Sequence, residues 1–343
     1  MRVLQVMAGA QHGGAETFFE RLVPALARAG LDQHVIIRRD PERTGRLRRA
    51  GVAPLELAFG GALDFLTPLL LGREIKRYNP NVVISWMNRA TLKTPRGSFV
   101  HVARLGGYYD LKYYRDCDHL IGNTPDIVDY LVDKGWPAER AHYLPNFPDE
   151  RIGTPIDRAE IATPNEAPLL LALGRLHENK GFDVLIRAMA HVPDAVLWIA
   201  GEGPLRSELR ALAESEGVAE RVRFLGWRED TGDLLATADL LICPSRHEPL
   251  GNVVLEGWVQ GRPVVAAAAA GPSHLIEDGR TGLLVPIENA DALGQAIQGL
   301  LADPQRQAEL TSGGREAFAN HYSEAHVVQL YLDFLDRVTA PVA

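Results

Sequence analysis

Two glutamates eight residues apart, Glu248 and Glu256, stand in the most chemically suggestive stretch of this chain, PSRHEPLGNVVLEGWVQGRPVVAAAAAGPSHLIEDGRTGLLVP. Residues 239–243 read as an apolar strand, Glu248, Pro249, Leu250 and Gly251 as a turn, and the residues after them as a helix starting near Leu250. Glu248 then lies beyond the helix N-terminus and Glu256 almost two turns in, so both carboxylates can face one ligand lying across that end. First-turn N–H groups of Leu250, Gly251 and Asn252 lack helical partners and point where a phosphate or sugar oxygen can accept. Carboxylates also gather at helix N-termini without any ligand, so a capping Glu248 and a solvated Glu256 are the alternative.

A second cluster carries cations. Residues 169–173 predict a buried strand that runs into Gly174 and Arg175, then a loop to Lys180-Gly181 and a helix from Phe182. A planar guanidinium fork and a compact ammonium at a helix start suit a diphosphate, although both fit equally well as surface cations. Strand 196–200 ends in Gly201-Glu202-Gly203-Pro204, and strand 222–226 in Trp227-Arg228. Near the N-terminus, strand 3–8 leads through Gly13-Gly14 to Ala15-Glu16 and a helix; this is not G-x-G-x-x-G, and paired glycines alone are a weak phosphate signal.

The order E-P-x-G, a second Glu eight residues after the first, G-x-P-V-V-A, G-P and D-G-x-T-G-L-L-V resembles the retaining glycosyltransferases of family 4. The resemblance spans nearly the whole chain, closely over 168–288 and more loosely over 15–147. It implies the GT-B fold, two doubly wound Rossmann-like α/β domains facing across a cleft that holds the site. It implies transfer of a sugar, with retention, from a UDP- or GDP-sugar to a hydroxyl of a glycan or lipid-linked acceptor. Bacterial lipopolysaccharide or cell-envelope polysaccharide synthesis is the implied setting, with neither cofactor nor metal. By motif, Arg175 and Lys180 in G-R-L-x-x-x-K-G hold the diphosphate, Glu248 the donor-sugar hydroxyls and Glu256 the ribose. Gly13, Gly14 and Glu16 close on the donor phosphates and the acceptor from the N-terminal side; Gly174, Gly201, Arg228, Pro249, Leu250, Gly251 and Asn252 complete the donor side, with the base near Trp227-Arg228.

The acceptor side departs from the family pattern. Many relatives end a strand of the first domain with His then Gly, and here L-G-G-Y-Y puts Gly106 at that place. His101, earlier in the strand, is the catalytic candidate, with a packed role as its alternative. Arg104 shares a strand face with Gly106 and is expected to meet an anionic group. Tyr108, within the cluster Tyr108, Tyr109, Tyr113 and Tyr114, either stacks on a sugar or packs. His274 stands where relatives often have Glu. A sugar-nucleotide 2-epimerase of similar fold and a non-catalytic sugar-nucleotide binding protein are therefore the competing functions.

The elements that must position these groups alternate. Strands near 34–38, 55–58, 82–86 and 99–103 are separated by helical patterns such as 65–78, which predicts parallel doubly wound sheets. Y-L-P-N-F-P-D at 143–149, where relatives have P-N-x-x-D, places the boundary at about Phe147. That gives an acceptor-side domain over 1–147 and a nucleotide-sugar domain over 148–323, with an amphipathic helix 324–338 returning to the first. With 343 residues and 46% hydrophobic content the chain is long enough for both.

Net charge is −8, unevenly spread: residues 1–150 hold 20 Lys and Arg against 17 Asp and Glu, leaving 16 against 27. Arg38, Arg39, Arg43, Arg46, Arg48 and Arg49 form the densest basic run, read either as a solvated helix face or as contact with an anionic lipid surface or phosphorylated acceptor. Nucleic acid is excluded by the lack of aromatic interleaving or a binding motif. Cys117 and Cys243 suffice for neither a disulfide framework nor a metal cluster. Lacking a signal peptide or spanning run, the chain reads as cytoplasmic, peripheral on the inner face of the plasma membrane where the basic half meets lipid.

Overall fold

The structure, a computed structural model, describes residues 1–11, 13–61 and 63–340. The chain divides into two compact units, Met1–Phe147 with the segment from Glu324 onward, and Pro148–Ser323. In the first, β1 (Arg2–Met7), α1 (Gly14–Arg28), β2 (Asp32–Arg38), α2 (Pro41–Arg49), β3 (Leu55–Leu57), α3 (Leu66–Tyr78), β4 (Val82–Trp86), α4 (Met87–Lys93), β5 (Val100–Leu105), β6 (His119–Gly122), α5 (Pro125–Asp133) and β7 (Ala141–Tyr143) alternate along the chain. The seven strands pair in parallel in the order β3-β2-β1-β4-β5-β6-β7.

The second unit holds β8 (Leu169–Leu173), α6 (Phe182–Ala188), β9 (Val196–Ala200), α7 (Arg206–Ser215), β10 (Val222–Gly226), α8 (Thr231–Thr237), β11 (Leu240–Cys243), α9 (Asn252–Val259), β12 (Val264–Ala267), α10 (Ala270–Leu275), β13 (Leu283–Val285), α11 (Ala290–Leu301) and α12 (Pro304–His321). Its six parallel strands run β10-β9-β8-β11-β12-β13. Strands such as LLLAL and VVISW are buried along their whole length. Near-continuous apolar runs of this kind follow from sheets covered on both faces, and each sheet carries a separate core on either side.

The last helix, α13 (Glu324–Thr339), buries Val327, Val328, Tyr331, Phe334 and Leu335 in the core of the first unit, against α1. One local expectation changes. Helix α9 begins at Asn252 rather than near Leu250, because Gly251 takes a left-handed φ of 75° and breaks the helical path. Gly271-Pro272, the G-P of the family pattern, lies in α10, where proline in the first turn needs no N–H. Among the described residues no helix is long and apolar enough to cross a membrane.

Candidate active site

The carboxyl ends of β8, β9 and β10 are stitched together beyond the last regular strand residue. Gly174 N–H donates to Ala200 O (3.0 Å), Leu176 N–H to Glu202 O (3.0 Å) and Gly201 N–H to Gly226 O (2.8 Å). Gly201 has φ 153°, and a Cβ there would fall 1.8 Å from the Gly174 carbonyl oxygen, so only glycine permits these two backbones to touch. The result is a cavity of about 400 Å³ bounded by Gly174, Arg175, Gly201, Arg228 and Glu256, with Trp227 at its wall. Five residues expected on the donor side thus converge from four separate elements, at the edge where open parallel sheets take ligands. Arg175 is exposed and, among the described residues, makes no ion pair. Arg228 donates Nε–H to Asp230 Oδ1 (2.7 Å), a bond that raises the guanidinium pKa and holds its plane.

Lys180 and Glu248 meet beside this cavity. Lys180 Nζ donates to Glu248 Oε2, and a Cβ on Gly174 would sit 3.1 Å from Lys180 Cε, so the lysine stem lies along the cavity-lining glycine. The other Glu248 oxygen accepts from Gly251 N–H at 3.4 Å, and the Glu248 carbonyl accepts from Gly271 N–H at 2.7 Å. Pro249 and Leu250 are half-buried between those anchors, Gly251 is buried, and Asn252 opens α9 half-exposed. One of the N–H groups expected to await a ligand, that of Gly251, is therefore directed at Glu248. Glu256 lies one turn into α9, not two, because the helix starts late.

Sequence reasoning passed over Arg246. Its guanidinium donates to Asp183 Oδ1 (2.7 Å) and Oδ2 (2.6 Å), to Glu178 O (2.8 Å) and to Glu288 Oε2 (3.0 Å). Its backbone N–H reaches Asn179 O at 2.9 Å. Arg246 thereby ties the loop carrying Lys180 to the loop carrying Glu248. Burial would raise the Asp183 carboxyl, but the Arg246 hydrogen bonds prevail and hold it below the usual carboxylate range. No local spacing signals this residue, since Asp183 and Glu288 are remote in sequence.

In the first unit, Gly13 caps α1 and the Glu16 side chain turns back beneath the preceding loop. Glu16 Oε1 accepts from Ala10 N–H (2.7 Å), and a Cβ on Gly9 or Gly13 would lie 2.1 or 2.3 Å from its carboxylate oxygens. From the other side Arg43, 1% exposed, donates to Ala10 O (2.7 Å), Gln11 O (3.1 Å) and Glu20 Oε1 (2.9 Å). Gly13, Gly14 and Glu16 thus share one clamped loop, and a Cβ on Gly106 would lie 3.9 Å from both Ala15 Cβ and Asn123 Nδ2. Asn123, at the carboxyl end of β6, is buried with no partner for Oδ1 among the described residues, and sequence reasoning missed it too. A polar residue at a strand end before the Thr124-Pro125 helix start was its available signal.

Three expectations are corrected here. His101 is 5% exposed in the body of β5, its Nε2 2.9 Å from Ser85 Oγ, and burial lowers its pKa; it is a packed residue, not one facing an acceptor. Arg104 is 2% exposed, donating Nε–H to Tyr331 Oη (2.8 Å) and bonded to Asn146, over the rings of Phe18 and Trp86. It secures α13 rather than awaiting an anion. The basic run also thins, because Arg43 is interior and Arg46 is paired with Glu20, leaving Arg39, Arg48 and Arg49 exposed. Tyr108 is half-exposed, packed edge-on to Tyr130 at 5.3 Å.

Comparison with known proteins decides the family. The model described as Glycosyl transferases group 1 matches residues 167–303, and that of Glycosyltransferase Family 4 matches residues 12–151. The lipopolysaccharide core biosynthesis glycosyltransferase LpsE of Rhizobium meliloti is 38% identical over 332 residues, 94% of this chain and 96% of LpsE. The chain belongs to the family 4 glycosyltransferases. A second core biosynthesis glycosyltransferase of that organism, LpsD, is 34% identical to the enzyme across 99% of both chains. Among solved structures, Anabaena Alr3699/HepE in complex with UDP aligns with a TM-score of 0.85 at 21% identity, over 98% of this chain and all of HepE. The glycosyltransferase accordingly has the GT-B fold.

Proposed function

We propose that the enzyme transfers a sugar, with retention, from a nucleoside diphosphate donor to a hydroxyl of a lipid-linked lipopolysaccharide core acceptor. The observation that carries the donor half is the cavity bringing Gly174, Arg175, Gly201, Arg228 and Glu256 together. Glu256 accepts from the ribose hydroxyls. Arg175 and Lys180 offset the charge that grows on the diphosphate as the anomeric C–O bond breaks, which is electrostatic stabilisation by preset groups and needs no metal. Glu248 takes donor-sugar hydroxyls and, through its bond to Lys180, sets the ammonium in place. The base lies against Trp227, exposed at the cavity wall, and belongs to a uridine or a guanosine donor. HepE crystallised with UDP supports the uridine form.

The acceptor half rests on LpsE and LpsD, both named for lipopolysaccharide core biosynthesis and matched almost end to end. In the first unit the loop of Gly13, Gly14 and Glu16, with Tyr108 and Asn123, forms the acceptor side. The enzyme works at the inner face of the plasma membrane, attached peripherally. Incubation with labelled UDP-, GDP- and ADP-sugars, with and without a membrane extract, tests the whole reading. Label moving into extractable glycolipid supports it; label confined to an epimerised or unchanged donor defeats it.

A further inference from the structure

The turn between β3 and α3 is built with unusual care for an exposed loop. Asp64 accepts from Gly60 N–H (2.7 Å) and Thr67 N–H (3.0 Å), and Thr67 Oγ1 accepts from Phe59 N–H (3.1 Å). Lys93, at the end of α4, donates to Gly61 O (3.1 Å) and Asp64 O (2.6 Å), joining α4 to the turn. What this scaffold presents to solvent is apolar: Leu63 is 87% exposed, Phe65 76%, Leu66 59% and Leu69 63%, with Leu92 of α4 at 58%. Scattered surface leucines need no explanation, but five large apolar side chains on one braced corner do.

Charge identifies the occupant. Helix α3 buries Thr67, Leu71 and Ile75, so Leu66, Leu69, Arg73 and Lys76 form its outer stripe, apolar at the tip and basic beyond it. Arg89 lies one turn before Leu92, Arg96 beyond the helix is paired with Asp116, and residues 58–96 hold six Lys and Arg against two Asp and Glu. Of the two acids, Asp64 is engaged within the turn and Glu74 is paired with Arg77. An apolar tip in a basic collar complements the acyl boundary and headgroups of an anionic bilayer. Turn and α4 both start from carboxyl ends of strands, the edge that also carries the Gly13-Gly14 loop.

We infer that Leu63, Phe65, Leu66, Leu69 and Leu92 insert into the surface of an anionic bilayer, with Arg73, Lys76 and Arg89 on its headgroups. This rests on the proposed lipid-linked acceptor, which such docking would bring to the acceptor edge of the first unit. It replaces the Arg38–Arg49 run as the principal attachment surface.

Flotation of the full chain with vesicles of phosphatidylcholine alone or with phosphatidylglycerol tests it, alongside the triple variant Leu63→Ser, Phe65→Ser, Leu66→Ser. Binding should favour the anionic vesicles, weaken as salt rises, and fall at least tenfold in the triple variant at unchanged melting temperature. Replacing Arg39, Arg48 and Arg49 by Gln should cost much less. Phe65→Trp provides a second readout that does not depend on the folding of the triple variant: its added emission should shift to the blue with anionic vesicles. Undiminished binding by the triple variant, or an unshifted Phe65→Trp emission in vesicle-bound protein, overturns the inference. So does a native dimer that the triple variant abolishes without any vesicle binding, which would make the corner a contact between copies. Transfer to a detergent-dispersed acceptor should stay within about twofold in the triple variant. Failure of the unsubstituted protein to transfer at all would instead defeat the proposed reaction.

Discussion

Lys180 Nζ is hydrogen-bonded to Glu248 Oε2, so the cation assigned to the diphosphate and the carboxylate assigned to the donor sugar hold each other. Both side chains are largely sheltered, and breaking the pair from either side leaves a charge without its partner. Lys180→Ala and Glu248→Ala are each expected to lower kcat/KM about ten- to a hundredfold, in line with the worth of a charge-assisted hydrogen bond. The double variant should lose far less than the product of the two, because residues acting as a unit are non-additive. A double-mutant cycle in steady-state kinetics checks this; strict multiplicativity would mean that the pair is not functional.

Glu256→Gln should weaken nucleotide binding about tenfold or more while leaving the melting temperature within a degree or two. The side chain lines the cavity, and the substitution keeps its shape while removing the charge proposed to accept from the ribose diol. Calorimetric titration with UDP and with GDP reads the loss, and the tighter of the two identifies the base. Unchanged affinity for both would remove Glu256 from the donor site.

Arg104→Leu is expected to act on stability, not on the acceptor. It strips Tyr331 Oη and Asn146 of a buried partner and loosens α13, a change of about 3 kcal/mol. His101→Ala should likewise lower the melting temperature with little change in acceptor KM. Denaturant unfolding followed beside kinetics separates the two effects. A stable Arg104→Leu protein with a raised acceptor KM would restore the acceptor-side role.

Arg246→Ala should lower kcat several-fold with a modest loss of stability, since it releases the loops of Lys180 and Glu248 from Asp183 and Glu288. Arg246→Lys, which keeps charge but not the planar fork, should recover only part. Full activity in Arg246→Ala would show that the ion pair orders its own loops.

Stability should also fall in mild acid. His142 lies 3.0 Å from His119 and against the Phe334 ring of α13, and burial, then His119 and Arg337, push its pKa down to about 4. A histidine depressed in the folded state binds its proton more readily when unfolded. Its contribution is therefore complete above its ordinary value near 6.5 and is lost as pH falls from there towards 4. Melting temperatures between pH 7 and pH 4 should drop more steeply in the native protein than in His142→Gln, and equal slopes would sink the assignment.

By itself the sequence determined the architecture and put the residues proposed for the donor side at strand ends and a helix start. Strands buried on both faces of a parallel sheet must be near-continuous apolar runs, and the segments at 82–86, 169–173 and 196–200 show this without reference to any contact. Glycines, Arg175, Arg228 and Glu256 follow such strands or open the next helix, and a parallel sheet brings successive strand ends to one edge. The family pattern added roles that spacing alone leaves open.

Tertiary structure decided which charges are surfaces and which are struts. Arg43 and Arg104 look like any other arginine in the chain, yet the first is enclosed by Glu20 and the 9–11 loop, and the second by Tyr331, more than two hundred residues away. The partners of Arg246, and the meeting of Lys180 with Glu248, likewise come from loops far apart in sequence. Local patterns record periodicity and turn chemistry. The fate of a long polar side chain depends on the distant acceptors that folding places around it, because a charge leaves water only where such acceptors replace the lost hydration.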